Sequence, residues 1–195
     1  MKLHLSAFAL TFTFLLPSHV YAQSSSRVLN LVQYNDINIK QNNKTTSNWY
    51  KYSAKDGTYT IMYPQVPREE ATNVMGINTN FISFYDKDKA YISNGTKIPY
   101  KFDTNLIDTE TLLNFALDNM AKKTGSSIES QNNITYNGFP GKEAVVHFKD
   151  GNYFVKVRYI LDVKKSVFYQ VMVLSDKNNF DFPEASAFFD SLMIN

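Results

Sequence analysis

The chain has 195 residues, a formal charge of +2 and no cysteine, with 13 Tyr and 15 Phe against a single Trp. So small a charge gives no long-range field to gather nucleic acid or an anionic membrane surface. The lack of thiols excludes thiolate catalysis, iron–sulfur ligation and thiolate zinc sites, and leaves packing alone to hold the fold.

The first 22 residues read as an export signal. Met1, Lys2 and His4 lead into an apolar run from Leu5 to Leu16, and Val20 and Ala22 place small residues at −3 and −1 of a cleavage site. The run is too short for the roughly 20 residues of a membrane-spanning helix. The expectation is a soluble exported protein, periplasmic or secreted, cleaved after Ala22, with no cysteine to carry a lipid anchor. Residues 23–48 are rich in Asn, Lys, Ser and Thr and bury too little apolar surface to offset their ordering entropy, so a flexible polar segment is expected. Within it, Val28, Leu29, Leu31 and Val32 form a short apolar patch suited to a helical or strand contact.

One folded domain is expected over 49–195. A strand at Trp49, Tyr50 and Tyr52 reaches a turn at Asp56-Gly57, and Tyr59, Ile61 and Tyr63 then alternate with Thr58, Thr60 and Met62. Pro64 and Pro67 end this hairpin because neither donates to a ladder. Further strands are predicted over 74–77 and 81–85. Another, over 90–93, turns at Asn94-Gly95, and an edge or irregular piece follows around Pro99. A helix over 109–123 is predicted from the Asp108 cap, the stripe of Leu112, Phe115, Ala116 and Met120 widened by Leu113 and Leu117, and the Gly125 stop.

Three strong strands follow. One covers 144–148, with a turn at Asp150-Gly151. The second covers 153–161, with Phe154, Lys156, Arg158 and Ile160 on one face. The third, over 167–174, is apolar on both faces, as a central strand covered from each side must be. Pro183 opens a closing helix through Ala185, Phe188, Phe189, Leu192 and Met193. These elements predict an α+β fold, an antiparallel sheet with helices on its faces.

Several short motifs resemble the PsbP/Mog1-like domains found in many exported bacterial proteins. They are Trp49, Tyr52, Gly57, Tyr63, Pro64 and Pro67 at the start, Gly138-Phe139-Pro140-Gly141-Lys142-Glu143 in the middle, Arg158-Tyr159, the 167–173 strand, and Phe188-Phe189-Asp190-Ser191-Leu192 at the end. The resemblance spans 49–195 and implies an α/β/α sandwich around a central antiparallel sheet. Its photosynthetic members are extrinsic subunits supporting the oxygen-evolving complex. The matching positions here are scaffold positions, so the resemblance implies an accessory or binding role and not the photosynthetic one.

Catalytic signatures are sparse. His147 is the single histidine beyond the export signal, without the companions a histidine metal site or a triad requires, and it reads as a surface or sheet-packing residue. Asp86-Lys87-Asp88 lacks the offsets of a calcium loop, and Glu69-Glu70 shows no sign of facing one cleft. Gly138, Pro140 and Gly141 read as a sharp entry into the next strand, not as a ligand loop. Lys156, Arg158 and Phe154 are the candidate binding residues: either a small basic, partly apolar contact surface or hydrogen-bonded packing beneath a helix. No catalytic residue, metal or cofactor is assigned. The leading expectation is a non-enzymatic accessory or binding protein that contacts a membrane-associated protein partner at the outer face of the inner membrane. A carrier of an apolar small ligand or lipid and an uncharacterised hydrolase are the alternatives.

Overall fold

The computed structural model describes residues 48–74, 77–86, 88–98, 108–149 and 152–195. The expected export signal, the expected polar segment up to residue 47, the expected extended piece at 99–102 and the expected Asp150-Gly151 turn lie outside the described residues, as do Met75 and Gly76 of the expected 74–77 strand.

The chain opens with β1 (Tyr50–Ser53) and β2 (Tyr59–Tyr63), joined through Gly57 at φ 71, the left-handed conformation that the Asp-Gly pair predicts. Then come β3 (Arg68–Val74), β4 (Ile77–Asp86) and β5 (Lys89–Lys97). The helix α1 (Thr109–Thr124) precedes β6 (Ser127–Tyr136), β7 (Phe139–Phe148), β8 (Tyr153–Asp162) and β9 (Val167–Ser175). The helix α2 (Pro183–Asp190) and a two-residue β10 (Met193–Ile194) close it.

Seven strands form one antiparallel sheet in the order β3-β4-β5-β9-β8-β7-β6, and β1-β2-β10 form a second, small sheet. The strand β9 lies at the centre with all nine residues buried, so its two apolar faces serve two separate cores. On one face α1 lays Leu113, Leu117 and Met120 against Val146, Val157, Tyr159 and Met172. On the other, α2 and the small sheet pack Ile61, Tyr63, Phe188 and Phe189 against Tyr91, Ile160, Tyr169 and Val171. The architecture is therefore α+β with a central antiparallel sheet and two helices, but the second covering layer is a helix together with a small sheet.

The Asp108 cap is in place: Thr111 donates its amide to the Asp108 Oδ1 at 2.8 Å, and Gly125 stops α1 at φ 62. Four sequence readings need correction. No turn occurs at Asn94-Gly95, because β5 runs straight through both. Asn94 donates to the Gln170 Oε1 at 2.9 Å, and a Cβ on Gly95 would meet the Tyr59 and Tyr169 rings at 3.1–3.2 Å. The glycine thus makes room for rings and does not reverse the chain. The buried stripe of α1 is turned toward Leu113, Ala116, Leu117, Met120 and Ala121, leaving Phe115 46% exposed. The Gly138 segment starts its strand earlier than expected: Asn137 and Gly138 carry positive φ, and β7 already includes Phe139, Pro140 and Gly141. Finally, α2 ends at Asp190. Ser191 donates its hydroxyl to the Phe188 carbonyl at 2.8 Å and accepts the Met62 amide at 3.0 Å. That pair of bonds redirects Met193 and Ile194 into a strand beside β2.

Candidate functional site

The useful asymmetry is in β7 and β8. On β7, Lys142, Ala144, Val146 and Phe148 point to the α1 side and are buried, while Glu143, Val145 and His147 on the other side are only partly covered. The same holds on β8, where Tyr153, Val155 and Val157 are buried and Phe154, Lys156 and Arg158 are partly exposed. The small sheet and α2 cover β5, β9 and the far end of β8, and Val145 and Phe154 pack against the margin of that core while staying partly exposed.

Antiparallel pairing arranges the six residues in three rows, Glu143 opposite Arg158, Val145 opposite Lys156, and His147 opposite Phe154. All three sequence-predicted binding residues therefore stand on one surface, yet they do different things. Arg158 donates through Nε to the Glu143 Oε2 at 2.6 Å and through Nη1 to the Asp190 Oδ1 at 3.1 Å. Its guanidinium also lies 4.8 Å from the Phe189 ring centre and 5.7 Å from that of Tyr136. Lys156 holds the other Glu143 oxygen at 3.0 Å. Burial would push the Glu143 carboxyl up, but the hydrogen bonds and charges of Arg158 and Lys156 outweigh it and hold the group below the usual glutamate range. Tyr136 closes this end by donating its hydroxyl to the Leu192 carbonyl at 2.8 Å. At Arg158, packing beneath a helix is the role that prevails: the side chain ties the end of α2 to the sheet.

The opposite end is different in kind. The His147 and Phe154 rings stack at 4.3 Å between centres and 12° between planes. The imidazole Nε2 meets the Asn152 Oδ1 at 3.2 Å, and Nδ1 lies 3.9 Å from a Glu129 carboxylate oxygen. His147 is thus a sheet-packing residue at a surface. Val145 sits between the ionic and aromatic ends. The surface has an apolar and aromatic half that stays partly exposed at the margin of the α2 core and a charged half already satisfied within the molecule. Such a surface suits recognition. It holds no nucleophile beside a base, and among the described residues no group of three His, Cys, Asp or Glu converges to hold a metal ion.

A second feature was not legible in the sequence. A cleft of ≈ 180 Å³ opens between the β1–β2 turn and strands β4 and β5, lined by Tyr52, Tyr59, Asn78, Asn80, Gly95 and Lys97 among others. Burial, with the carboxylates of Glu69 and Asp56 nearby, pushes the Tyr52 phenol up to about 12, so it stays a neutral donor at ordinary pH. Asp56 spends its carboxylate on the Thr58 amide and hydroxyl, and Lys55 pairs with Glu69 at 3.0 Å. These strand-borne residues come from four elements, and only the fold brings them together.

No protein-family model matches the sequence, and no curated protein matches it. Solved structures do share the fold. The solution structure of cyanobacterial PsbP (CyanoP) from Synechocystis sp. PCC 6803 superposes with a TM-score of 0.55 at 10% identity, covering 85% of this chain and 99% of that one. The Ran-binding protein Mog1p of Saccharomyces cerevisiae aligns with a TM-score of 0.48 at 10% identity, over 75% and 95% of the two chains. At this identity the CyanoP likeness shows the fold alone: a mixed α+β, PsbP/Mog1-like architecture.

Proposed function

We propose that this is a non-enzymatic, exported accessory protein that acts through contact with a protein partner at the outer face of the inner membrane. The observation that carries this reading is the partly exposed face of β7 and β8 at the margin of the α2 core. Val145, His147 and Phe154 there form an apolar, aromatic surface held on rigid strands, bordered by the Glu143–Lys156–Arg158 network. Contact surfaces gain most from such rigid aromatic anchors, with charged groups at the rim. The fold shared with cyanobacterial PsbP supports the accessory role as an analogy. The apolar-carrier alternative has less support, since Leu113, Leu117 and Met120 fill the space between α1 and the sheet.

The test places a photo-reactive amino acid at Val145 or at Phe154 of the full-length protein, expressed at native level, and irradiates intact cells. A discrete adduct from both positions, and none from Lys122 on the exposed side of α1, is the expected result. Identical products from all three positions, or none from the first two, would overturn the reading.

A further inference from the structure

The two outer edges of the seven-stranded sheet are protected very differently. At one edge β3 begins with Arg68-Glu69-Glu70, three consecutive charges that discourage a further strand. At the other, β6 is ten residues long, and from Ser130 to Tyr136 it reads Ser-Gln-Asn-Asn-Ile-Thr-Tyr, with no charge and no proline. Its one carboxylate, Glu129, lies at the register shift between Ile128 and Ser130, outside that run. Beyond the shift the pairing with β7 is regular to Tyr136, so seven consecutive residues keep an unbroken strand register. Among the described residues no strand pairs with that edge. A regular strand edge of this kind presents a row of unpaired amides and carbonyls, a template for strand addition.

We infer that β6 is a self-association edge, on which a second copy of this chain adds its own β6 antiparallel across a two-fold axis. The charge pattern favours this occupant. Centred on Asn133, the pairing sets Ser130 opposite Tyr136, Gln131 opposite Thr135 and Asn132 opposite Ile134, so no like charges meet. Glu129 then falls opposite Asn137, at the turn. An isologous contact needs a self-complementary surface, and a neutral run of amide, hydroxyl and apolar side chains is one. Residues 129 to 133 are exposed, so nothing on either sheet face has to be displaced for the backbones to meet. The pairing joins two seven-stranded sheets into one and leaves the Val145–His147–Phe154 surface of each copy free. It is independent of the function proposed above.

Strand pairing over seven residues buries less than a standard interface, so the association is a weak one, read at high protein concentration. Sedimentation equilibrium of the purified exported chain, up to about 1 mM, is expected to show a reversible monomer–dimer mixture. Asn133→Lys puts two ammonium groups face to face at the axis and is expected to weaken association by about two- to fivefold. Gln131→Lys, at another exposed β6 position, carries the same expectation if the first variant folds poorly. Ala71→Lys on the β3 edge leaves the association unchanged. A wild-type chain that stays monomeric over the whole range overturns the inference. So does association of the folded Asn133→Lys variant equal to wild type, or equal weakening by Ala71→Lys.

Discussion

Glu143 shows how much one residue can organise when the neighbouring strand offers it two partners. Arg158 and Lys156 reach its two oxygens from neighbouring positions on β8, and Arg158 continues to Asp190 at the end of α2. The carboxyl is held below its ordinary 4.5, so its contribution has a defined sign. The stabilisation is fully present above the unfolded-state pKa and is lost as pH falls through the lower, folded-state value. Glu143→Gln removes it. The variant is expected to be less stable than wild type near neutrality, with the gap narrowing as the pH drops below about 4.5 in urea titrations. A gap that stays constant down to pH 2 would assign the loss to packing instead. The sequence showed Lys156 and Arg158 on one face from their two-residue spacing, but their partners were out of reach. Which residue sits opposite is a matter of register, and register between β7 and β8 is set by the hairpin geometry, not by any local pattern. The glycines carry the same lesson. A Cβ on Gly141 would lie 2.6 Å from the Tyr159 carbonyl oxygen, a close backbone approach that only the paired strand reveals.

At the scale of elements, legibility followed burial. The strand β9 is apolar on both faces because two cores press on it, and it was readable from sequence within a residue of its ends. So was α1, whose Asp108 cap and Gly125 stop are local signals. Strands β3 and β6 were missed. Each pairs on one side only, and β6 leaves most of its side chains in water, so hydrophobic alternation never develops. The end of α2 was misread for a different reason. Leu192 and Met193 continue a helical spacing, but Ser191 bonds across to Met62 and a strand position beside β2 wins. Short as it is, α2 supplies Phe188, which is fully buried and meets both Tyr63 and Tyr91 edge-on, with ring centres 5.1 and 5.3 Å away. Phe188→Ala is expected to cost about 3–5 kcal/mol through lost transfer energy and the cavity left behind. Chemical denaturation should show a lower midpoint with an unchanged slope. A cost below about 1 kcal/mol would mean that α2 does not seal this core.

For the molecule as a whole, the central sheet divides the chemistry. One face is closed by α1 over its aliphatic and tyrosine core. The other is closed only where α2 and the small sheet reach, and there the buried hydroxyls are satisfied in a chain: Tyr59 and Tyr63 both meet the Ser93 hydroxyl, at 3.1 and 2.8 Å, and Tyr63 donates to the Ile82 carbonyl. Beyond that lid lie Val145, His147 and Phe154, partly exposed on strands that the rest of the fold holds rigid. Fold class was legible because alternation and capping are local. The partly exposed margin at Val145, His147 and Phe154 was not, because it depends on how far α2 and the small sheet extend over β7 and β8. The most direct measurement is hydroxyl-radical footprinting of the purified protein, alone and with native cell envelopes. His147 and Phe154 are expected to be oxidised in the free protein and protected by envelopes, with Phe188 unreactive in both. Equal oxidation of His147 and Phe154 in the two conditions, or their silence in the free protein, would contradict it.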